Sequence, residues 1–175
     1  MKEDIFDVVD LTDNVVCQLP RSEVHAKGLM HRASHVLIFA DSEKGRKILL
    51  QKRSAFKDTF PNCYTTSCSG HVDAGEDYDT AVVREMFEET GLRVELSQLR
   101  KIGKISPCKA TGQEFTFVYE MLVPESTSFS ANPEEVSAFE WILETDFNQQ
   151  ILQNPEKFTQ SFIKVYNFYL SERKK

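Results

Sequence analysis

The chain has 175 residues, 41% of them hydrophobic and 27% charged, with a formal net charge of −6. These are the proportions of one ordinary water-soluble domain, long enough to bury a substantial core. The acidic balance excludes a broad polyanion-binding surface, so no nucleic-acid partner is expected, although a small phosphorylated ligand gripped by a few basic side chains remains compatible.

In chain order, Phe6 to Asp10 and Val15 to Leu19 flank a Thr12-Asp13-Asn14 turn, which predicts an N-terminal β-hairpin. His35 to Ala40 and Lys47 to Gln51 read as buried strands separated by a polar turn, Asp41 to Arg46. A further strand is expected within Asn62 to Ser69. Between Asp77 and Thr90, Tyr78, Val82 and Met86 recur every fourth residue beside Val83 and Phe87, the apolar stripe of an amphipathic helix. Acidic residues Glu76, Asp77 and Asp79 crowd its first turn and Gly91 follows its end, both favourable placements. Leu99 to Ile105, Glu114 to Leu122 and Ala138 to Ile142 are predicted strands, and Leu143 to Leu152 and Pro155 to Ser171 predicted helices. No repeat or linker divides the chain, so residues 1–175 are expected to form one α+β domain.

The four cysteines, Cys17, Cys63, Cys68 and Cys108, show neither a Cys-x-x-Cys pair nor a zinc spacing, so reduced thiols are expected. The opening MKEDIFDVVD is acidic, without the apolar run of a signal peptide, and no segment approaches bilayer-spanning length. A cytoplasmic location is the expectation, with no membrane partner.

The segment Gly70 to Leu92, GHVDAGEDYDTAVVREMFEETGL, carries the chemistry. On a helix, Glu85, Glu88 and Glu89 stand at i, i+3 and i+4, so three carboxylates share one face. Such a face repels itself unless a cation sits within it, and oxygen donors of this hardness suit Mg²⁺ or Mn²⁺. A solvated acidic face is the bland alternative.

The segment resembles the Nudix box, Gly-x5-Glu-x7-Arg-Glu-apolar-x-Glu-Glu-x-Gly-apolar, at every specified position. Seven fixed identities at ~6% usage give a chance match on the order of 10⁻⁹ per start position, which disposes of the bland alternative. The resemblance implies an α-β-α sandwich around a mixed sheet, and a hydrolase that cleaves a phosphoanhydride by water attack on phosphorus. It nominates Gly70, Glu85, Glu88 and Glu89 as metal ligands for Mg²⁺ or Mn²⁺, Glu85 or Glu89 as the base, and an Arg84–Glu76 ion pair that orients the site. The expected substrate is a nucleoside diphosphate linked to another moiety, or a related diphosphate.

Residues around the box are similar to the branch that includes isopentenyl-diphosphate isomerase and isomerase-like hydrolases. The carriers are Arg21-Ser-Glu-Val-His25, His31-Arg32-Ala33, Gln51-Lys52-Arg53-Ser54-x-x-Lys57, Phe60-Pro61 and Gly70-His71. This implies that Arg53, Lys57 and Arg21 bind the substrate diphosphate, and that His25, His31, His71 and Glu114 form a second metal or substrate site. The isomerase pattern is incomplete. His25 and His31 stand one residue closer than usual, Gly112 replaces a second carboxylate, and Ser69 stands where the isomerase has its cysteine, with Cys68 one position earlier on the opposite strand face. Isomerisation of isopentenyl diphosphate is therefore the alternative to hydrolysis, and a non-catalytic ligand sensor the third reading. Phe56, Phe60, Tyr64, Phe115, Phe117 and Trp141 are the candidates for stacking on a base. The hairpin and the C-terminal helix are the surfaces on offer for a homodimer.

Overall fold

The computed structural model describes residues 3–57 and 59–173. The hairpin forms as expected, with β1 (Ile5–Val9) antiparallel to β2 (Val15–Pro20). Its turn is held by Asp10, whose carboxylate accepts the Thr12 and Asn14 amides at 2.8 and 2.9 Å. The tip is pinned to the rest of the molecule through Asp13, which accepts from Arg32 Nε at 2.6 Å, Lys104 Nζ at 2.7 Å and the Tyr78 hydroxyl at 2.9 Å. Burial opposes the Asp13 charge, yet these donors hold its carboxyl below the ordinary range.

A helix that periodicity did not reveal follows: α1 (Arg21–Lys27). It is seven residues long, has no side-chain cap, buries only Val24 and stops at Gly28 in the left-handed conformation (φ 59°). Too short to show an amphipathic repeat, it owes its stability to tertiary contact.

β3 (His31–Ser42) and β4 (Gly45–Arg53) are longer than expected, so their connection shrinks from Asp41–Arg46 to Glu43-Lys44. β3 begins four residues before His35 because its polar start is paired in parallel with β8 (Glu114–Leu122), from His31 against Glu114 onward. Two short strands, β5 (Tyr64–Thr65) and β6 (Cys68–His71), replace the single strand expected there. With β7 (Arg100–Ile105) and β9 (Val136–Leu143) they complete, among the described residues, a seven-stranded mixed sheet whose strand-to-strand ladders are antiparallel except for β3–β8.

The sheet is covered on both faces. α2 (Tyr78–Thr90) lays Val82 and Met86 on Val36, Ile38, Leu49, Cys68 and Tyr119. Its ends follow from the sequence: Asp77 caps it by accepting from Thr80 N–H at 2.8 Å, and left-handed Gly91 closes it. On the opposite face, α3 (Glu144–Gln153) and α4 (Gln160–Glu172) pack Phe147, Phe162, Val165, Tyr166 and Tyr169 against Leu37, Phe39, Ile48 and Leu50. α4 starts five residues later than expected. Pro155–Lys157 forms a 3₁₀ turn, and Thr159 then caps α4 by accepting from Phe162 N–H at 3.2 Å. The apolar face of α4 is consumed by this core, whereas Leu11, Val15 and Val16 of the hairpin stay exposed. Among the described residues no helix is long and apolar enough to cross a membrane.

Candidate active site

β6 and the loop after it carry the site. Gly70 lies against the box helix so closely that a Cβ there would stand 1.9 Å from Glu85 Cδ, so any side chain at this position would displace the Glu85 carboxylate. Glu85 is largely buried, with its side chain 13% exposed, while Glu88 is 53% exposed at the rim. Glu89 accepts the Ser69 N–H at 2.8 Å. Burial first, then the charge of Glu89, pushes the Glu85 carboxyl up to about 8. Burial likewise pushes Glu89 up to about 7, although Ser69 N–H, the Cys68 thiol and the Gln51 side chain all favour its ionised form. Two carboxyls with raised pKa values and a third at the rim offer hard oxygen donors, although among the described residues the group whose donor atoms already lie within 4.8 Å of one another is a histidine trio, not these glutamates.

Arg84 organises this face. Its guanidinium donates to Glu76 at 2.8 and 3.1 Å, Glu85 at 2.7 Å, Glu88 at 3.2 Å and the His71 carbonyl at 3.0 Å. Hydrogen bonding to Glu76 is the main reason its pKa rises. With its donors taken by protein acceptors, Arg84 ties the carboxylates of Glu76, Glu85 and Glu88 to one another.

The basic residues divide. Arg53 donates to the Thr59 carbonyl at 2.8 and 3.1 Å; burial lowers its pKa, while Glu89 and Glu135 lie close enough to oppose that. Lys57 pairs with Glu135. Arg21 is on α1, 3.8 Å from Asp4 and half-exposed, and its charge is felt by both Arg53 and His25. Glu135, which closes the loop before β9, was not singled out from the sequence. In a stretch reading Asn132-Pro-Glu-Glu135 it looks like any solvated charge, and only the fold brings it beside Lys57, Arg53 and Glu89.

Behind Gly70 the strand alternates, so His71 faces the other side. There His25, His31 and His71 offer ring nitrogens that all lie within 4.8 Å of one another. Ring centroids are 4.9 Å apart for His25–His31 and 5.2 Å for His31–His71, and Phe6 stacks on His71 at 4.6 Å. Glu114 Oε1 reaches His71 Nε2 at 3.2 Å and His31 Nε2 at 3.6 Å. Burial works against the Glu114 charge, but both imidazoles pull its carboxyl far below the ordinary range. His31 Nδ1 is tied to the Leu29 carbonyl at 2.9 Å, while its buried Nε2 has no hydrogen-bond partner. Burial and the other two rings lower His25 to about 4, which keeps it neutral and able to ligate. An orphaned ring nitrogen among imidazoles and a carboxylate fits a borderline transition metal.

The departures from the isomerase pattern have structural form. Gly112, which offers no carboxylate, stands in the left-handed conformation at φ 67°. Ser69 pairs with His35 and Cys68 with Val36, so the thiol is buried on the α2 side, in the apolar core. Burial raises its pKa well above the ordinary range. His35 is fully enclosed, hydrogen-bonded to Thr66 Oγ1 at 2.9 Å, and takes no part in the trio. Of the aromatic candidates, Phe115 and Phe117 are packed within the fold and Tyr64 donates to Glu140 at 2.8 Å, whereas Phe56 is 85% exposed.

A model of the NUDIX domain matches residues 30–162. The chain belongs to the Nudix family. Among its relatives, a prenyl-diphosphate phosphatase of Methanosarcina mazei is 36% identical over 163 residues, covering 90% of this chain and 92% of the relative. An isopentenyl-diphosphate Δ-isomerase of Serratia proteamaculans is 32% identical over 165 residues, 93% and 89% of the two chains. These place this Nudix protein in the isopentenyl-diphosphate isomerase-like branch. A crystal structure from Deinococcus radiodurans superposes with a TM-score of 0.70 at 27% identity, covering 86% of this chain and 90% of that one. Nudix hydrolases generally use divalent metal ions.

Proposed function

We propose that this Nudix chain hydrolyses the phosphoanhydride bond of a small organic diphosphate. A prenyl diphosphate, the substrate class named for the Methanosarcina relative, is favoured over a nucleoside diphosphate derivative. The observation that carries the reading is the burial of Glu85 against Gly70, with Glu89 beside it on the Ser69 amide and both carboxyls raised toward neutral pH. Gly70, Glu85, Glu88 and Glu89 would hold Mg²⁺ or Mn²⁺, which when bound neutralises phosphate oxygens and acidifies water.

The chain's own residues do the rest. Arg53 and Lys57, with Arg21 at the rim, bind the diphosphate anion, and Arg53 exchanges its Thr59 contact for phosphate oxygens. Arg84 and Glu76 fix the box carboxylates. Glu85 or Glu89 accepts the proton as water adds to a phosphorus. The P–O–P bridge then breaks, and a monophosphate leaves from each side. Glu89→Gln is expected to lower turnover at saturating metal by about 10²–10⁴-fold, the usual contribution of a positioned base. Near-normal phosphate release would remove Glu89 from the reaction.

Isomerisation of isopentenyl diphosphate is the second reading, favoured by the trio of His25, His31 and His71 with Glu114. Ser69 in place of a thiol and Gly112 in place of a carboxylate weigh against it. Incubation with isopentenyl diphosphate separates the two, because hydrolysis yields orthophosphate and isomerisation yields the allylic diphosphate alone.

A further inference from the structure

A cleft of about 450 Å³ lies on the α2 side of the sheet, and of the residues nominated above only Trp141 lines it. Its walls are Leu49, Phe129, Ala131, Ala138, Phe139 and Trp141. Strand register places it beside the carboxylates. Phe139 is the cross-strand partner of Gln51, whose side chain lies against Glu89, and Trp141 is the partner of Leu49 two residues along. Lys47, two residues further, pairs with Glu125, which marks the far end of the lining. From Gln51 to Lys47 is four residues of strand, about 13 Å. The loop that walls the cleft through Phe129 and Ala131 is the one that ends in Glu135 beside Lys57 and Arg53.

The rings do not form a slot for a flat heterocycle. Phe129 meets Phe139 at 41° and 5.2 Å, and Trp141 at 63° and 6.1 Å, so these aromatic faces pack on each other rather than standing parallel. The polar side chains of the lining are Thr127 and Glu125, and Glu125 is engaged by Lys47. Little is left to read the hydrogen-bonding edge of a base. An elongated, tapering hydrocarbon suits such a surface, since apolar burial is non-directional.

We propose that this cleft receives the hydrocarbon tail of the substrate, a branched chain of about two isoprenoid units running from the carboxylates to the Lys47–Glu125 pair. The proposal rests on the hydrolase reading and specifies its substrate class. Each methylene taken from water strengthens binding about fourfold, so a ten-carbon diphosphate should bind at least tenfold more tightly than a five-carbon one. A fifteen-carbon chain should gain little more, because the lining ends at the ion pair.

Trp141 is the only tryptophan of the chain, so its emission reports occupancy of the cleft without turnover. The full chain with Mg²⁺ would be titrated with the geranyl and dimethylallyl esters of methylenediphosphonate, whose P–CH₂–P bridge water cannot cleave, and with α,β-methylene ADP-ribose. A saturable change with the geranyl compound is expected, at least tenfold tighter than with the dimethylallyl one. It should weaken at least tenfold in Ala131→Phe, or in Ala138→Leu if the first variant melts early. A silent Trp141, equal affinity for both chain lengths, an undiminished response in the folded variants, or tighter response to the ADP-ribose analogue would each overturn the proposal. Phosphate release from geranyl diphosphate, measured in parallel, separates the two claims. Turnover with a silent Trp141 sinks the cleft alone, and a responsive Trp141 without turnover of any diphosphate sinks the hydrolase reading alone.

Discussion

Glu85→Gln should make the metal-free protein more stable at alkaline pH while abolishing its turnover. Glu85 is a carboxyl whose folded value, about 8, lies above its ordinary 4.5, chiefly through burial and then through Glu89. Between those values the folded chain holds a proton that the unfolded chain has released, so unfolding free energy falls as pH rises across that window. Below pH 4.5 there is no penalty, and above about 8 it is complete. A shift of this size corresponds to an upper limit of about 5 kcal/mol at 1.36 kcal/mol per unit. The coupling to Glu89, relaxation of the site and the weaker Arg84 contact to a neutral amide reduce this to about 2 kcal/mol. For a domain of this length that is a rise of about 4–8 °C in Tm. The assay is thermal unfolding in EDTA from pH 6 to 9, wild type against Glu85→Gln. The gap should open with pH and close when Mg²⁺ is restored to the wild type. A variant that is less stable at pH 9, or a gap independent of pH, would refute the burial and crowding on which the site is built.

Arg84→Met leaves Glu76, Glu85 and Glu88 without their shared donor. Phosphate release should fall by 10²-fold or more, and apparent Mg²⁺ affinity should change with it. Phe6→Ala removes a buried ring that stacks on His31 and His71, and should cost about 3–5 kcal/mol by denaturant titration. A loss below 1 kcal/mol would show that the hairpin is not part of the core. His31→Gln and His71→Gln should each reduce Mn²⁺ or Zn²⁺ retained after dialysis by at least tenfold, while Glu89→Gln leaves it intact. Equal metal content in all three would dissolve the trio as a site.

What the sequence disclosed depended on periodicity and spacing. α2 was legible from its stripe, its acidic first turn and Gly91, and β8 matched residue for residue as a mostly apolar run buried on both faces. The box carboxylates could be placed on one face from spacing alone. The start of β3 was hidden because His31-Arg32-Ala33-Ser34 has the polarity of a loop, and its burial comes from β6, β8 and the hairpin. α1 was too short to show a period. Glu135 and the aromatic cleft were invisible for a related reason: both arise where a loop from beyond β8 folds back on β4, a proximity no local pattern encodes.

The hairpin reaches further into the chemistry than its position in the chain suggests. Asp7 accepts Gly75 N–H at 3.0 Å, the Ile5 carbonyl accepts Ala74 N–H at 2.8 Å, and Phe6 bridges to Asp73. The loop that delivers Glu76 to Arg84 is thus splinted by residues almost seventy positions upstream. During synthesis those early residues can pair only with β2 until the box has left the ribosome, so the splint on the Asp73–Glu76 loop is a late contact. A peptide fused close to Ile5 would press on the carboxylate face and the imidazole trio at once.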